Sequence, residues 1–359
     1  MNKVLSSFLL LLRNALWGSH EPLREPLTQA EWKSLFILAR EQTVEGIVMD
    51  AVGALPPQQK PPMDIRLQAI GRVQQIEEGN ALLNRELLAM LVLIEKRRLR
   101  VVLMKGQGAA SRYLSPMHRC PGDIDLFAPD DFEAVNALMM ELSAELGKVT
   151  PEKHTDYMLR EVAWEIHNHM SDMCHAGARR FISAGYPRET AFVEIEGRLV
   201  PVFPPSFDAV YMVAHMVHHV VSEGLGLRQL CDWVMLLHKE KDEIEREELV
   251  RYVVALHLER PFKVLGVIAV ELLGLPREEL PLAYGEKERK IARLLWSDIL
   301  KQGNFGKYSG RVPAAGLWGR LGNYFYTLER CVRLYGVCPS EASRRPFMKI
   351  IRFFQRGMD

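Results

Sequence analysis

The chain has 359 residues, enough for two or three domains, and its 48% hydrophobic and 25% charged content is ordinary globular usage that can bury a sizeable core. Lys and Arg number 46 against 45 Asp and Glu, a net charge of +1. That balance speaks against an extended nucleic-acid tract as the main ligand, since phosphate backbones are held by clustered excess positive charge.

Residues 1–75 read as an N-terminal helical region. The run Phe8 to Leu12 is the only membrane candidate and falls far short of the roughly 20 residues a span needs. Arg13 follows at once, so the run is expected to be the buried face of a first helix rather than a signal peptide or transmembrane segment. Thr28 and Glu31 have capping-box spacing ahead of a helix through Trp32, Leu35, Phe36 and Leu38. Pro56-Pro57 and Pro61-Pro62 punctuate a loop. A long helix is expected over 76–98, with Leu82, Leu83, Leu87, Leu91 and Ile94 on one face and Lys96-Arg97-Arg98 at its negative end.

The stretch from Val101 to Phe127 carries the chemistry. An apolar strand, Val101 to Met104, leads into Lys105-Gly106-Gln107-Gly108 and a short helical segment. Glycines at such a junction let main chain approach a phosphate. Downstream, Asp123-Ile124-Asp125-Leu126 alternates with period two, which on a strand puts both carboxylates on one face. Two such carboxylates repel each other unless a cation lies between them, and Mg2+ is the usual occupant.

Leu103-Met104-Lys105-Gly106-Gln107, Tyr113, Pro116, Arg119 and Gly122-Asp123-Ile124-Asp125-Leu126 resemble a bacterial nucleotidyltransferase family within the DNA polymerase β-like superfamily. That family carries Lys-Gly where its relatives have Gly-Ser. The resemblance implies an α+β fold: a polymerase β-like nucleotidyltransferase core, a small mixed sheet with flanking helices, between helical regions. Gln107 stands where a Ser commonly follows the glycine, and the gap to Asp123 is longer than in most of the superfamily.

A helix is expected to open at Asp130-Asp131 and run through Val135, Leu138, Leu142 and Leu146. Leu159 to His167 then reads as a strand. Val162, Trp164 and Ile166 share one face, and Glu161, Glu165 and His167 the other. The superfamily needs a third carboxylate beside Asp-x-Asp. Glu165 matches that position best and Glu161 is the runner-up, while His167 contacts substrate or orients Glu165. Phe192 to Ile195 and Leu199 to Phe203 form an expected hairpin around Glu196-Gly197-Arg198, which completes a core over 76–204.

Residues 205–359 read as a helical domain with Gly- and Pro-rich loops. His215, His218 and His219 cluster on one helix at metal-compatible spacing, without an HExxH-type acid. Arg228 and Asp232 lie one turn apart on the next helix. The resemblance makes His215, Arg228 and Asp232 further candidates for lining a nucleotide cleft. The tail places Arg344, Arg345, Lys349, Arg352 and Arg356 among Phe347, Phe353 and Phe354, and reads as a docked terminal helix. Five scattered cysteines, odd in number, fit reduced thiols in a cytoplasmic protein.

The resemblance thus implies two-metal nucleotidyl transfer. Asp123, Asp125 and Glu165 would hold Mg2+ or Mn2+ and act as the catalytic set. Lys105 and Arg119 would neutralise phosphate charge, Gly106 and Gly108 would admit it, and Gln107 would line the pocket. An NTP would donate its nucleoside monophosphate to a hydroxyl-bearing acceptor whose identity, like that of any partner protein, the sequence leaves open. Alternatives are a non-catalytic, antitoxin-like nucleotide-binding protein, a kinase-like phosphotransferase, and a metallohydrolase built on His215, His218 and His219.

Overall fold

A computed structural model describes residues 2–150, 154–170, 173–185, 187–308 and 316–355. Among them are fourteen α-helices and one mixed seven-stranded sheet, an α+β architecture. The chain divides into two compact units: Met1–Arg40, Val44–Met170 and Pro187–Pro205 form the first, and Glu41–Thr43, Ser171–Tyr186 and Ser206–Asp359 the second.

In the first unit, helices α1 (Lys3–Trp17), α2 (Gln29–Glu41) and α3 (Glu45–Ala54) precede a 34-residue helix α4 (Met63–Lys96). The Thr28–Glu31 capping box forms: the Thr28 N–H donates to Glu31 Oε2 at 2.8 Å and the Glu31 N–H to Thr28 Oγ1 at 3.3 Å. α4 begins well before the expected residue 76. Pro62 pre-sets its entry and Asp64 complements its dipole, while Met63, Leu67 and Ile70 face solvent and blur the apolar period.

The sheet is built from β1 (Val102–Met104), β2 (Ile124–Phe127), β3 (Glu145–Thr150), β4 (His154–Leu159), β5 (Val162–His167), β6 (Ala191–Ile195) and β7 (Arg198–Val202). Their spatial order is β3-β4-β5-β2-β1-β7-β6. β2 runs parallel to β5 and β1 parallel to β7, with antiparallel pairs elsewhere. Leu83, Leu87, Met90, Leu91 and Ile94 of α4 share one core with Val135, Leu138 and Met139 of α6 (Phe132–Glu141) and with Leu126, Val162, Trp164 and Ile166. Each such side chain, fully buried, stabilises the fold by about 1.5–3 kcal/mol. The predicted Val162, Trp164 and Ile166 face is therefore the core face, leaving Glu165 and His167 on the other side of the sheet.

Two expectations fail beside the site. The helix after β2 stops at Glu141 because Ser143 takes a φ of 59°, and Leu146 lies 54% exposed on β3 rather than on a helix face. Arg160 and Glu161, at φ 50° and 66°, form the turn between β4 and β5. Leu159 therefore belongs to β4, and Glu161 sits at a hairpin tip instead of on the strand that carries Glu165.

The described part of the second unit is helical. Among its elements are α7 (Ala176–Gly185), α8 (Pro205–Ser222), α9 (Leu227–Lys239), α10 (Arg246–Ala255), α11 (Glu259–Glu271), α12 (Glu286–Gln302), α13 (Gly316–Arg333) and α14 (Pro339–Gln355). Trp233 of α9 donates its indole N–H to the Ala209 carbonyl at 3.0 Å, and Arg330 of α13 is wholly buried against Asp298 of α12 at 2.8 Å. Arg356 lies outside the described residues, as do the side chains of Arg352, Phe353 and Phe354. No described helix is long and apolar enough to cross a membrane.

Candidate functional site

β2 lies between β1 and β5, and its register fixes the site. Asp125 pairs with Met104 on one side and with Glu165 on the other. Asp123 stands one residue before the strand. One ligand oxygen from each of Asp123, Asp125 and Glu165 lies within 4.8 Å of the others. The three acids named from the sequence are thus neighbours.

The turn leaving β1 aims a cation at them. Lys105 adopts φ 54° and ψ −137°, a backbone state that L residues take only under strain, and its Nζ lies 3.1 Å from Asp125 Oδ1. Gly106 follows at φ +43°, where an added Cβ would stand 3.3 Å from the Asp123 carbonyl oxygen. The short helix α5 (Gly106–Ala110) then begins. Gly108 serves packing: a Cβ there would meet Val202 Cγ1 at 3.2 Å and Leu103 Cδ2 at 3.6 Å.

His167 supplies a second positive group. Its Nε2 is 2.9 Å from Asp125 Oδ1 and 3.2 Å from Glu165 Oε2. Burial opposes its protonation, yet the bonds to Asp125 and Glu165 raise its pKa above the ordinary value. Burial likewise opposes ionisation of Asp125, but Lys105 and His167 together hold its carboxyl well below the usual range. Burial also opposes ionisation of Glu165, but the bond and charge of His167 together with the Lys105 charge lower its pKa. Asp123 goes the other way. The charge on Asp125, with burial and Glu165 adding to it, pushes it up to about 6 despite Lys105.

That asymmetry tests the site for a metal. Lys105 and His167 keep Asp125 and Glu165 ionised, and a third carboxylate remains that ionises fully only with more positive charge beside it. Three converging oxygens suit a hard divalent cation. Asp123, Asp125 and Glu165 are the residues that fit one.

The other predicted residues divide. Gln107 is buried and donates to Asn84 Oδ1 of α4 at 2.5 Å, so its side chain braces α5 against α4. Arg119 is also buried and donates to the Cys120 carbonyl at 3.2 Å. Its segment is pinned to α4 by Asn80, whose amide donates to the Met117 and Arg119 carbonyls at 2.8 Å. His118 bonds Asp50 at 2.5 Å and Glu77 at 2.9 Å. His215, Arg228 and Asp232 belong to the second unit, on α8 and α9. His215 and His219 face each other through Nε2 atoms 3.1 Å apart, while His218 Nδ1 takes a bond from Arg345 at 3.0 Å. The three histidines do not gather into one ligand set.

Sequence reading missed His154 and Asp156 of β4, which pair with His167 and Glu165. The alternation His154, Asp156, Met158 against Thr155, Tyr157, Leu159 is the period-two signal that would have found that strand.

The sequence model of a family described as "Uncharacterised nucleotidyltransferase" matches residues 28–274. The chain belongs to this family. A nucleotidyltransferase role follows, and the matched span includes every carboxylate and cation of the site. No curated protein matches the chain. A crystal structure of an antigenic nucleotidyltransferase-like protein from Paracoccidioides brasiliensis is similar at 12% identity, over 55% of this chain and 93% of that one. Its TM-score of 0.32 is too low to bear on the fold.

Proposed function

We propose that the protein moves a nucleoside monophosphate from an NTP to a hydroxyl-bearing acceptor, using a polymerase β-like core within residues 76–204. The observation that carries this reading is the convergence of Asp123, Asp125 and Glu165 within 4.8 Å beside the Lys105-Gly106 turn. Mg2+ or Mn2+ bound there would supply Lewis-acid activation of the acceptor hydroxyl and charge stabilisation at the leaving pyrophosphate. Asp125 and Glu165 are ionised beforehand and ready to act as ligands. Asp123 joins them when a cation draws its pKa down. Lys105 neutralises phosphate charge, and Gly106 leaves room for main chain to approach it. His167 orients Glu165 and Asp125 through its two short contacts.

The test is incubation of pure protein with α-labelled NTPs, Mg2+ and cell extract. Label appearing on an acceptor, and lost with Asp123→Asn, supports the reading. Label moving only from the γ-phosphate would make it a phosphotransferase. Nucleotide binding without transfer to any acceptor would make it a binding protein.

A further inference from the structure

The β4–β5 hairpin carries a second donor set, of which the proposed reaction uses Glu165 and His167 but neither His154 nor Asp156. Across these strands His154 pairs with His167 and Asp156 with Glu165, so two imidazoles and two carboxylates share one face of the sheet. One ligand atom from each of His154, Glu165 and His167 lies within 4.8 Å of the others. The two imidazole rings stand 5.2 Å apart by centroid, and His154 Nε2 lies 3.2 Å from Asp156 Oδ1. Both rings are buried, and His167 Nδ1 has no hydrogen-bond partner among the described residues.

Donor chemistry separates this set from the acidic triad. Three carboxylates suit hard Mg2+, whereas two imidazoles with a carboxylate favour a borderline ion of the zinc class. We propose that His154, Glu165 and His167 form a transition-metal site beside the Asp123–Asp125–Glu165 site, with Glu165 common to both. Asp156 stands next to this set, its Oδ1 3.2 Å from His154 Nε2, and Thr150 Oγ1 lies 3.3 Å from the same nitrogen. Imidazole binds metal in its unprotonated form, so the cation replaces the proton that His167 otherwise shares with its carboxylate neighbours. The site rests on this donor set and does not depend on nucleotidyl transfer.

The test uses the full chain, stripped with a chelator and dialysed against Zn2+ in excess Mg2+. Elemental analysis is expected to find about one zinc per chain, the number a single three-ligand set holds. His154→Ala weakens retention by roughly tenfold or more, and Asp123→Asn, which removes transfer, keeps the zinc. Zinc-edge X-ray absorption on wild-type protein needs no variant and is expected to show two imidazole ligands. Three results overturn the proposal: no zinc retained by the wild type, an absorption spectrum with sulfur or without paired imidazoles, or a folded His154→Ala protein that binds as tightly as wild type. Zinc lost instead in His215→Ala would place the ion in the second unit and also overturn it.

Discussion

Asp125 and Glu165 are register partners on the parallel strands β2 and β5, and His167 Nε2 touches both carboxylates, at 2.9 Å and 3.2 Å. Strand pairing therefore brings together side chains forty residues apart in sequence and gives them a common counter-charge. Lys105 enters from the neighbouring β1 and completes the set at 3.1 Å from Asp125.

Asp123→Asn is expected to reduce label transfer by at least about 100-fold while leaving the circular dichroism spectrum unchanged. Asp123 precedes β2 and reaches solvent, so the fold does not lean on its charge. Transfer at the wild-type rate by the variant would remove Asp123 from the reaction.

The contribution of Asp123 to the stability of the metal-free protein should be lost as pH rises from about 4 to about 6. Asp123 ordinarily titrates at 3.8 and in the fold at about 6, so the folded state holds this proton more tightly than the unfolded chain. For such a raised carboxyl the stabilisation is present below the unfolded value and lost as pH passes the folded one. Thermal melts of wild type and Asp123→Asn should diverge across that window, with the wild type falling relative to the variant. Added Mg2+ or Mn2+ should restore the wild type more at pH 7 than at pH 5. Parallel melts of the two proteins across this range would contradict the assignment.

Lys105 combines backbone strain with a charge 3.1 Å from Asp125, and two variants separate them. Lys105→Gly and Lys105→Ala both remove the ammonium beside Asp125, but only glycine relieves φ 54°. The glycine variant is expected to be more stable by about 1 kcal/mol in urea unfolding, the strain of 1–3 kcal/mol being partly offset by glycine's greater unfolded freedom. Both variants should transfer poorly. Equal stability would mean that position 105 stores no strain.

His118 holds Asp50 and Glu77 at once and titrates at about 9. Its folded pKa lies above the ordinary 6.5, so its contribution is complete below pH 6.5 and lost as pH rises through 9. His118→Gln should lower the melting temperature at pH 6 and have little effect at pH 9.5. A deficit that is constant over that range would show that the charge is irrelevant there.

The core was largely legible. Val162, Trp164 and Ile166 alternate, Leu83, Leu87, Leu91 and Ile94 recur at helical spacing, and both patterns lie in the buried cluster. The hairpin of β6 and β7 was equally plain, because Glu196-Gly197 takes the positive φ values of a tight turn. The edge of the sheet was hidden. β3 is exposed nearly throughout, and a strand without a buried face carries no apolar alternation to read. Missing it extended α6 too far and concealed β4, and with β4 went His154 and Asp156.

The sequence alone offered the candidates. Asp123 and Asp125 stand out by residue type and local alternation and Lys105 by a strand-to-helix turn, all short-range properties of the chain, whereas Glu165 was picked over Glu161 by the family resemblance. It also fixed the faces of β2 and β5, since side-chain direction follows from the pleat. Tertiary structure decided which candidates meet. Only strand register sets Glu165 opposite Asp125 and His154 opposite His167, packing on α4 takes Gln107 to Asn84, and Arg345 of α14 engages His218. Those outcomes depend on contacts between residues far apart in the chain, which periodicity does not encode.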